Sequence, residues 1–313
     1  IIGLDTSHVV AFTNRLNAEN KPEEFAGIRI VAAYPKGSPD IESSVSRVPK
    51  YTEAVQAKGV EIVDSIDALI ERVDVVFLET NDGRPHLEQV LPVLKAGKPV
   101  FVDKPVAGSL ADAIAIFEAS KKYKTPVFSS SSLRYTDGTQ ALRNGELGRI
   151  LSCDAYSPAS LEPTHPDLYW YGIHGVEILF TVMGTGCESV SRAHADDMDV
   201  VVGTWEGGRI GTYRGFRTRM SPAYGGMAYG EKGVKPIDAT RKQGGSYDGL
   251  LIEIVEFFKT GKVPVEPAET LEIYAFMSAA DESKRRGGEP VSIAEIMAKA
   301  REEAKRRLAE LDR

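Results

Sequence analysis

The sequence has little of what marks secreted, membrane-bound or nucleic-acid-binding proteins. Its 313 residues include two cysteines, Cys153 and Cys187, which are too few for a disulfide scaffold and indicate buried thiols in a reducing compartment. No apolar run approaches the roughly 20 residues of a membrane span, and Ile1 begins a strand-like run rather than a signal peptide. The net charge of −7 argues against a nucleic-acid or anionic-membrane surface. We therefore expect a cytoplasmic protein with neither kind of partner.

Histidine is also scarce. The five histidines are His8, His86, His165, His174 and His194. They show no spacing typical of a metal site, either with one another or with the cysteines. The sequence therefore predicts no catalytic metal.

Up to about residue 130, short apolar runs alternate with helical segments. The predicted strands are 1–4, 28–33, 60–63, 73–78, 100–102 and 127–129, and the predicted helices are 7–18, 50–58, 66–71, 84–96 and 109–123. Such alternation, with strands rich in Val, Ile and Phe, predicts a doubly wound parallel sheet covered on both faces. Residues 1–130 are thus predicted to form a Rossmann dinucleotide-binding domain.

From about residue 149, long strand-like runs follow one another without intervening helices. These runs are 150–157, 187–195, 198–206, 209–217 and 223–230, with helices at 171–183, 247–259, 267–285 and 292–311. Gly207 and Gly208 form a two-residue hairpin signal. Residues 131–313 are predicted to form an α+β domain with a large, mainly antiparallel sheet, whose C-terminal helices can pack back on the first domain. An uncovered sheet face predicts a homo-oligomer, either a dimer or a tetramer.

The first turn lies where a dinucleotide-binding turn is expected, but its residues differ from G-x-G-x-x-G. It reads Gly3-Leu4-Asp5-Thr6-Ser7-His8. Asp5 or Ser7 could cap the following helix and leave no room for a pyrophosphate. Alternatively, Thr6, Ser7 and His8 could supply donors at the helix N-terminus in place of glycine backbone.

Polar residues follow two further predicted strands. Tyr34, Lys36 and Ser38 follow the second strand, where a lysine and a serine could hold the 2′-phosphate of NADP. A solvated loop lysine explains Lys36 equally well. Thr80, Asn81 and His86 follow the fourth strand and are candidates either for nicotinamide-ribose contacts or for capping the next helix.

A lysine followed by proline comes directly after the strand at 100–102, in the run Asp103-Lys104-Pro105. The carboxyl end of a buried parallel strand is where open α/β sheets bind ligands. The proline also disfavours a helical conformation at Lys104. An ordinary solvated lysine is the alternative, but the strand–helix–strand context favours a side chain pointing into the crevice.

In this order and spacing, these segments resemble the Gfo/Idh/MocA family of NAD(P)-dependent sugar and cyclitol oxidoreductases over nearly the whole chain. The matching segments are 3–8, 80–86, 96–105, Leu133-Arg134-Tyr135, 144–150, Gly172-Ile173-His174 and 264–291. The resemblance implies hydride transfer between a nicotinamide cofactor, NAD or NADP, and a secondary alcohol of a sugar, polyol or sugar acid. The predicted cofactor-binding residues are Gly3, Asp5, Thr6, Ser7, His8, Tyr34, Lys36, Ser38, Thr80, Asn81, His86, Asp103 and Lys104.

The resemblance also implies that Lys104 and His174 are the catalytic residues. A neutral imidazole accepts the hydroxyl proton, and the ammonium stabilises charge that develops on the oxygen. Taken alone, His174 is more typical of a core histidine on an apolar helix, whereas its pairing with Lys104 favours catalysis.

One departure from the family lies one helical turn before that histidine. The family usually has an aspartate there, whereas this chain has Trp170, so Glu177 or Asp167 could take over its role. Tyr169, Trp170 and Tyr171 suggest an aromatic wall for a sugar, with core packing as the alternative. The predicted substrate-binding residues are Arg134, His165, Asp167, Trp170, Tyr171 and Glu177. Two further functions stay open, a redox-assisted lyase or hydrolase with a recycled cofactor and a non-catalytic ligand-binding regulator.

Overall fold

The first half of the chain forms a parallel sheet with helices on both faces. The computed structural model describes residues 1–217, 223–239 and 247–311. The strands of this sheet are β1 (Ala32–Ala33), β2 (Glu61–Ile62), β3 (Val76–Leu78), β4 (Val100–Val102) and β5 (Val127–Phe128). Ile2 bridges Tyr34 and Leu78 in parallel, so the order across the sheet is β2, β1, the segment at Ile2, β3, β4 and β5. The predicted doubly wound sheet is confirmed, with strands shorter than predicted.

Five helices belong to this half. They are α1 (Ser7–Leu16), α2 (Glu42–Gln56), α3 (Ile66–Ile70), α4 (His86–Lys95) and α5 (Leu110–Tyr123). Helix α2 begins at Glu42, well before the predicted start at residue 50, and Pro49 lies inside it. The prediction failed there because proline and serine usually favour loops over helix interiors.

The second half forms a seven-stranded sheet. Its strands are β6 (Ile150–Pro158), β7 (Cys187–Ala195), β8 (Met198–Trp205), β9 (Arg209–Phe216), β10 (Gly225–Gly230), β11 (Gly233–Asp238) and β12 (Val291–Ser292), in the order β11-β10-β6-β9-β8-β7-β12. Neighbours are antiparallel except β6 and β9. Gly207 and Gly208 have φ values of 73° and 76° and lie in the predicted hairpin between β8 and β9, but its loop has three residues, Glu206 to Gly208, and not two. The edge strands β11 and β12 were not predicted, because one contains Pro236 and the other has two residues.

Helices connect this sheet to the first. They are α6 (Asp137–Arg143), α7 (Ile173–Met183), α8 (Asp248–Thr260), α9 (Pro267–Arg285) and α10 (Ile293–Leu311). Every residue of α7 is buried. Helix α8 places Leu250, Ile254 and Phe257 in one apolar cluster with Val9 and Phe12 of α1, and α10 packs on α5. C-terminal helices therefore cover the parallel sheet, while the predicted division at residue 130 stays a prediction. Among the described residues, no helix is long and apolar enough to cross a membrane.

Candidate active site

A cavity lies where the parallel sheet meets the second half of the chain. Its volume is about 480 Å³, within the range of small-molecule sites. Leu78 pairs with Val102 across β3 and β4, so the residues after these strands leave the sheet side by side. The lining residues are Thr6, Ser7, His8, Ser43, Arg47, Asn81, Asp103, Lys104, Trp170, Tyr171, His174, Ala223, Tyr224 and Tyr247. The crevice is therefore formed by strand ends, by the start of α1 and by α7.

Asp5 does not cap α1. Its carboxylate accepts hydrogen bonds from the Ser44 hydroxyl at 2.6 Å and from the Asn81 backbone N–H at 2.8 Å. Burial raises the pKa of Asp5 to about 6, although these hydrogen bonds oppose the increase. Thr6 occupies the N-cap position, and its side chain makes no capping hydrogen bond. The start of α1 therefore faces the cavity without a capping side chain.

The cavity wall beside α1 carries polar groups that the sequence did not reveal. Arg47 of α2 lines the cavity and donates to the Asp5 carbonyl at 3.2 Å. Ser43 lies one turn earlier on the same helix, and its Oγ is 3.4 Å from Asn81 Nδ2. Neither residue was predicted, because the first turns of α2 were interpreted as irregular.

Lys104 and His174 reach this cavity from different halves of the chain. The Lys104 ammonium lies 5.5 Å from the centre of the Tyr171 ring, within the range of a cation–π contact. His174 is buried, and its Nδ1 is 2.8 Å from the Ser131 hydroxyl. Ser131 is thus a hydrogen-bonding partner of this ring, and sequence reasoning missed it because it precedes His174 by 43 positions.

Two of the three adjacent aromatic residues form the expected wall. Trp170 and Tyr171 line the cavity together with Tyr224. Tyr169 is instead buried, and its hydroxyl lies 2.8 Å from Ser278 Oγ. His165 packs on Trp170 at 5.0 Å between ring centres and accepts the Gly83 N–H through Nε2 at 3.1 Å, so it supports the wall from behind.

Several predicted cofactor-binding residues do not line the cavity, and their contacts hold the surrounding loops. Gly3 packs against Thr80 so closely that a Cβ would lie 2.4 Å from the Thr80 nitrogen. The Thr80 hydroxyl donates to Gln89 at 3.0 Å. His86 is fully buried between two backbone carbonyl groups, and its Nε2 lies 2.7 Å from the Thr80 carbonyl oxygen. Because burial lowers the pKa of His86, its neutral ring holds the loop in place.

The residues expected at a 2′-phosphate are also placed elsewhere. The Ser38 hydroxyl donates to Asp82 at 2.5 Å, and Lys36 and Tyr34 are absent from the cavity wall. Asp82 also pairs with Arg84 at 2.7 Å. Ser38 therefore holds a loop that carries the Asp82 carboxylate. A negative charge there would repel a phosphate group.

Three predicted substrate-binding residues serve buried ion pairs instead. Arg134 is buried and donates to Glu177 at 2.6 Å and to Glu269 at 2.7 Å. Asp167 pairs with Arg192 at 2.6 Å. None of Arg134, Glu177 and Asp167 lines the cavity, because each carboxylate or guanidinium is neutralised by partners in the protein core.

His8, Glu79 and Asp103 form a buried cluster at the cavity floor. The Asp103 Oδ2 lies 3.0 Å from His8 Nδ1, and Glu79 Oε2 lies 3.8 Å from the same atom. Burial and the Asp103 charge raise the pKa of Glu79 well above its usual range. Burial also tends to raise the pKa of Asp103, but the His8 ring and Lys104 outweigh it, so this pKa is lowered. Glu79 was not predicted, although it directly follows a buried strand.

Known proteins resemble the chain most in its first half. Residues 10–130 match the Gfo/Idh/MocA family, described as "Oxidoreductase family, NAD-binding Rossmann fold". The chain is 36% identical over 100 residues to the inositol 2-dehydrogenase of Gluconacetobacter diazotrophicus, a match that covers 30% of each protein. It is 31% identical over 97 residues to the 2,7-anhydro-N-acetylneuraminate hydratase of Escherichia coli, covering 29% of this chain and 26% of the relative. The chain thus spans about a third or less of these two relatives.

Solved structures extend the likeness to nearly the whole fold. The myo-inositol dehydrogenase of Lactobacillus casei, solved with NAD(H) and myo-inositol, has a TM-score of 0.72 at 16% identity and covers 93% of this chain and 95% of its own. A probable dehydrogenase of Thermotoga maritima has a TM-score of 0.74 at 21% identity, covering 94% and 98%. At such identities the likeness shows the fold alone. Residues 10–130 thus match the Gfo/Idh/MocA family of oxidoreductases, and the chain as a whole shares the fold of these solved structures.

Proposed function

We propose that the chain binds a nicotinamide dinucleotide in the cavity and transfers hydride between it and a secondary alcohol of a sugar, polyol or sugar acid. The observation that carries this proposal is the meeting of Lys104, His174 and the uncapped start of α1 in one cavity. On this proposal, residues 1–130 supply most of the cofactor contacts. Residues 131–313 supply His174 and the aromatic wall, and the homo-oligomer stays a prediction.

The cofactor phosphates would lie at the start of α1. Free backbone N–H groups and the helix dipole favour an anion there. Ser7, Ser43 and Arg47 line the same wall and would supply donors that take the place of a glycine-rich backbone. Asp5 does not oppose this arrangement, since its carboxylate is turned toward Ser44 and Asn81.

His174 is the residue proposed to move the proton. The nicotinamide supplies the acceptor or donor of hydride at the alcohol carbon. When the alcohol is oxidised, its hydroxyl proton passes to Nε2 of His174, which requires Nδ1 to carry a proton and donate it to the Ser131 hydroxyl. Lys104 then stabilises the negative charge that develops on the oxygen as this proton leaves.

The aromatic wall and the names of relatives support a carbohydrate-like substrate. Trp170 and Tyr171 present ring faces that suit the apolar face of a sugar or cyclitol. Several relatives are named inositol 2-dehydrogenases. We therefore propose a cyclic polyol or sugar as the substrate class. The position of Ser38 gives no support to a preference for NADP over NAD.

A panel of polyols, sugars and sugar acids, tested with NAD and NADP and followed by reduced-cofactor absorbance, tests this function. We expect turnover with at least one cyclic polyol or sugar. Lys104→Ala should lower kcat by roughly 10²–10³-fold, whereas Lys95→Ala, an exposed lysine on α4, should leave it unchanged. Thermal unfolding of both variants checks that the fold is retained.

Two outcomes would replace the proposal. Product formed without net reduced cofactor would indicate a redox-assisted lyase or hydrolase. No binding of either dinucleotide at millimolar concentration would indicate a ligand-binding protein without redox activity.

A further inference from the structure

We propose that His8, Glu79 and Asp103 form a binding site for a divalent transition-metal ion of the Zn²⁺ or Mn²⁺ class. This inference does not rest on the proposed redox function. It runs against the sequence-based expectation of no metal. That expectation considered only spacings among histidines and cysteines, whereas two of these ligands are carboxylates.

The fold brings the three residues together from neighbouring elements. Leu78 and Val102 are register partners, so Glu79 and Asp103 leave β3 and β4 next to each other. His8 lies in the first turn of α1, which follows the segment that bridges to Leu78. One ligand atom from each of the three residues lies within 4.8 Å of the others.

The separations within the cluster suit a shared ion. Ligand atoms about 2.0–2.2 Å from a central ion lie roughly 3.0–3.6 Å apart at tetrahedral or octahedral angles. The His8 Nδ1 lies 3.0 Å from Asp103 Oδ2 and 3.8 Å from Glu79 Oε2. Small side-chain shifts therefore suffice to place all three atoms around one cation.

An orphaned oxygen points independently to a missing ligand. Glu79 is 0% exposed, and its Oε1 has no hydrogen-bond partner among the residues that the structure describes. Its carboxyl group is in contact with that of Asp103. Two buried carboxyl groups in contact, one of which has an unsatisfied oxygen, lower the stability of the fold unless a cation or a shared proton joins them.

Hydrogen bonds from neighbouring residues hold both carboxyl groups in place. Thr6 donates to Glu79 Oε2 at 3.1 Å, and the Lys104 backbone N–H donates to Asp103 Oδ1 at 2.8 Å. Such outer hydrogen bonds fix the direction of coordinating carboxylates. His8 and Asp103 also line the cavity, which gives an ion a path to the site. One imidazole and two carboxylates suit Zn²⁺ or Mn²⁺ better than Cu(I), which prefers sulfur.

The test is metal binding by the full chain after dialysis against a chelator, measured by titration calorimetry with Zn²⁺ and Mn²⁺ and by elemental analysis after gel filtration. We expect one ion per chain. His8→Ala and Glu79→Gln should each weaken binding by more than roughly tenfold, while thermal unfolding without metal shows whether each variant is folded. His194→Ala is the matched control, because that ring also contacts a carboxylate, at 2.8 Å from Asp199, outside the cavity.

Three results would overturn the proposal. The first is the absence of stoichiometric binding by the wild type. The second is binding that survives in both His8→Ala and Glu79→Gln, which would mean an adventitious site. The third is equal loss in His194→Ala, which would place the ion elsewhere. The first result would also indicate that Glu79 and Asp103 are joined by a shared proton.

Discussion

Two groups in this molecule each combine a histidine with buried carboxylates, yet their surroundings differ. At the cavity floor, His8 meets Asp103 and Glu79. On the second sheet, His194 contacts Asp199 within an ion network whose other members are Asp167, Asp281, Arg192, Arg217 and Lys284. In the second group, three cationic side chains face three carboxylates. In the first, two carboxyl groups in contact face the His8 ring and the charge of Lys104.

The difference separates a structural network from a candidate binding site. In the Arg192 network each carboxylate has a cationic partner, and Arg192 itself is 2% exposed, although the buried Nη2 of Arg217 has no hydrogen-bond partner among the described residues. In the His8 cluster a buried oxygen lacks a partner among the described residues, and the cluster opens onto the cavity. Unsatisfied buried polar groups are rare in structural cores and common where a ligand completes the site.

The largest expected effect lies in the balanced network. Arg192→Ala removes the guanidinium that pairs with Asp167, Asp199 and Asp281 and leaves Asp199 with Arg217 as its remaining guanidinium partner, which should lower the free energy of unfolding by about 3–5 kcal/mol. Urea denaturation at neutral pH measures this change. A loss of less than about 1 kcal/mol would show that the network does not depend on charge balance.

The contrast between carboxyl groups with and without cationic partners also predicts a pH dependence of stability. Asp5 is a buried carboxyl group whose carboxylate hydrogen bonds come from Ser44 and Asn81. Its pKa is about 6 in the fold against 3.8 for an ordinary aspartate, so between these two pH values the folded state binds a proton that the unfolded chain releases. This contribution to stability is present at low pH and is lost as the pH rises from about 4 to about 6.

Asp5→Asn should remove that dependence. The difference in unfolding free energy between variant and wild type should shift in favour of the variant by up to about 3 kcal/mol between pH 4 and pH 7. Urea unfolding across this range measures the shift. A difference that stays constant with pH would show that Asp5 has an ordinary pKa.

The buried His174 ring contacts a neutral hydroxyl, that of Ser131. Ser131→Ala should lower kcat about tenfold with little change in KM, because the ring loses the hydroxyl that orients Nδ1. Ser131→Thr keeps a hydroxyl and should restore most of the rate. The pH profile of kcat should move in the alanine variant. An unchanged profile with a lower rate would mean that Ser131 matters only for packing.

The smallest effect is expected at Glu79. Since its pKa is raised well above the usual range, Glu79→Gln replaces a neutral carboxyl by a neutral amide and should change stability by less than about 1 kcal/mol. Glu269→Gln is the matched control. Burial tends to raise the pKa of Glu269, but the hydrogen bonds and charges of Arg143 and Arg134 outweigh it, so this pKa is lowered. Removing the Glu269 charge should therefore lower the free energy of unfolding by about 3 kcal/mol. Equal effects of the two variants would contradict the contrast.

Much of the fold could be predicted from the sequence because its signals are local. Alternating apolar and helical segments predict the parallel sheet, and a Gly-Gly pair predicts the hairpin between β8 and β9. Helix α2 was cut short because Pro49 obscures its pattern, and the edge strands lack a hydrophobic alternation. Lys104 was predictable as a cavity residue since its position at a strand end fixes where it lies.

The remaining features of the site depend on contacts between distant segments. Arg47 and Ser131 reach the cavity from elements far from the turn at 3–8. The sequence predicted substrate contacts for Arg134, Glu177 and Asp167 because they lie near the motifs. It does not show the oppositely charged partners that these side chains have in the fold. Glu79 is the opposite case, a site residue that the sequence did not predict. A carboxylate after a hydrophobic strand is ordinary by itself, and only the contacts with Asp103 and His8 make it a candidate ligand.

Energy transfer from tryptophan to bound NADH tests the central claim, that this cavity holds a nicotinamide dinucleotide, most directly. The chain has two tryptophans: Trp170 lines the cavity and Trp205 is buried in the core of the second sheet. Titration with NADH should give sensitised cofactor emission that Trp170→Phe largely removes and that Trp205→Phe retains. No binding of NADH or NADPH at millimolar concentration, or a signal that depends on Trp205 alone, would contradict the account.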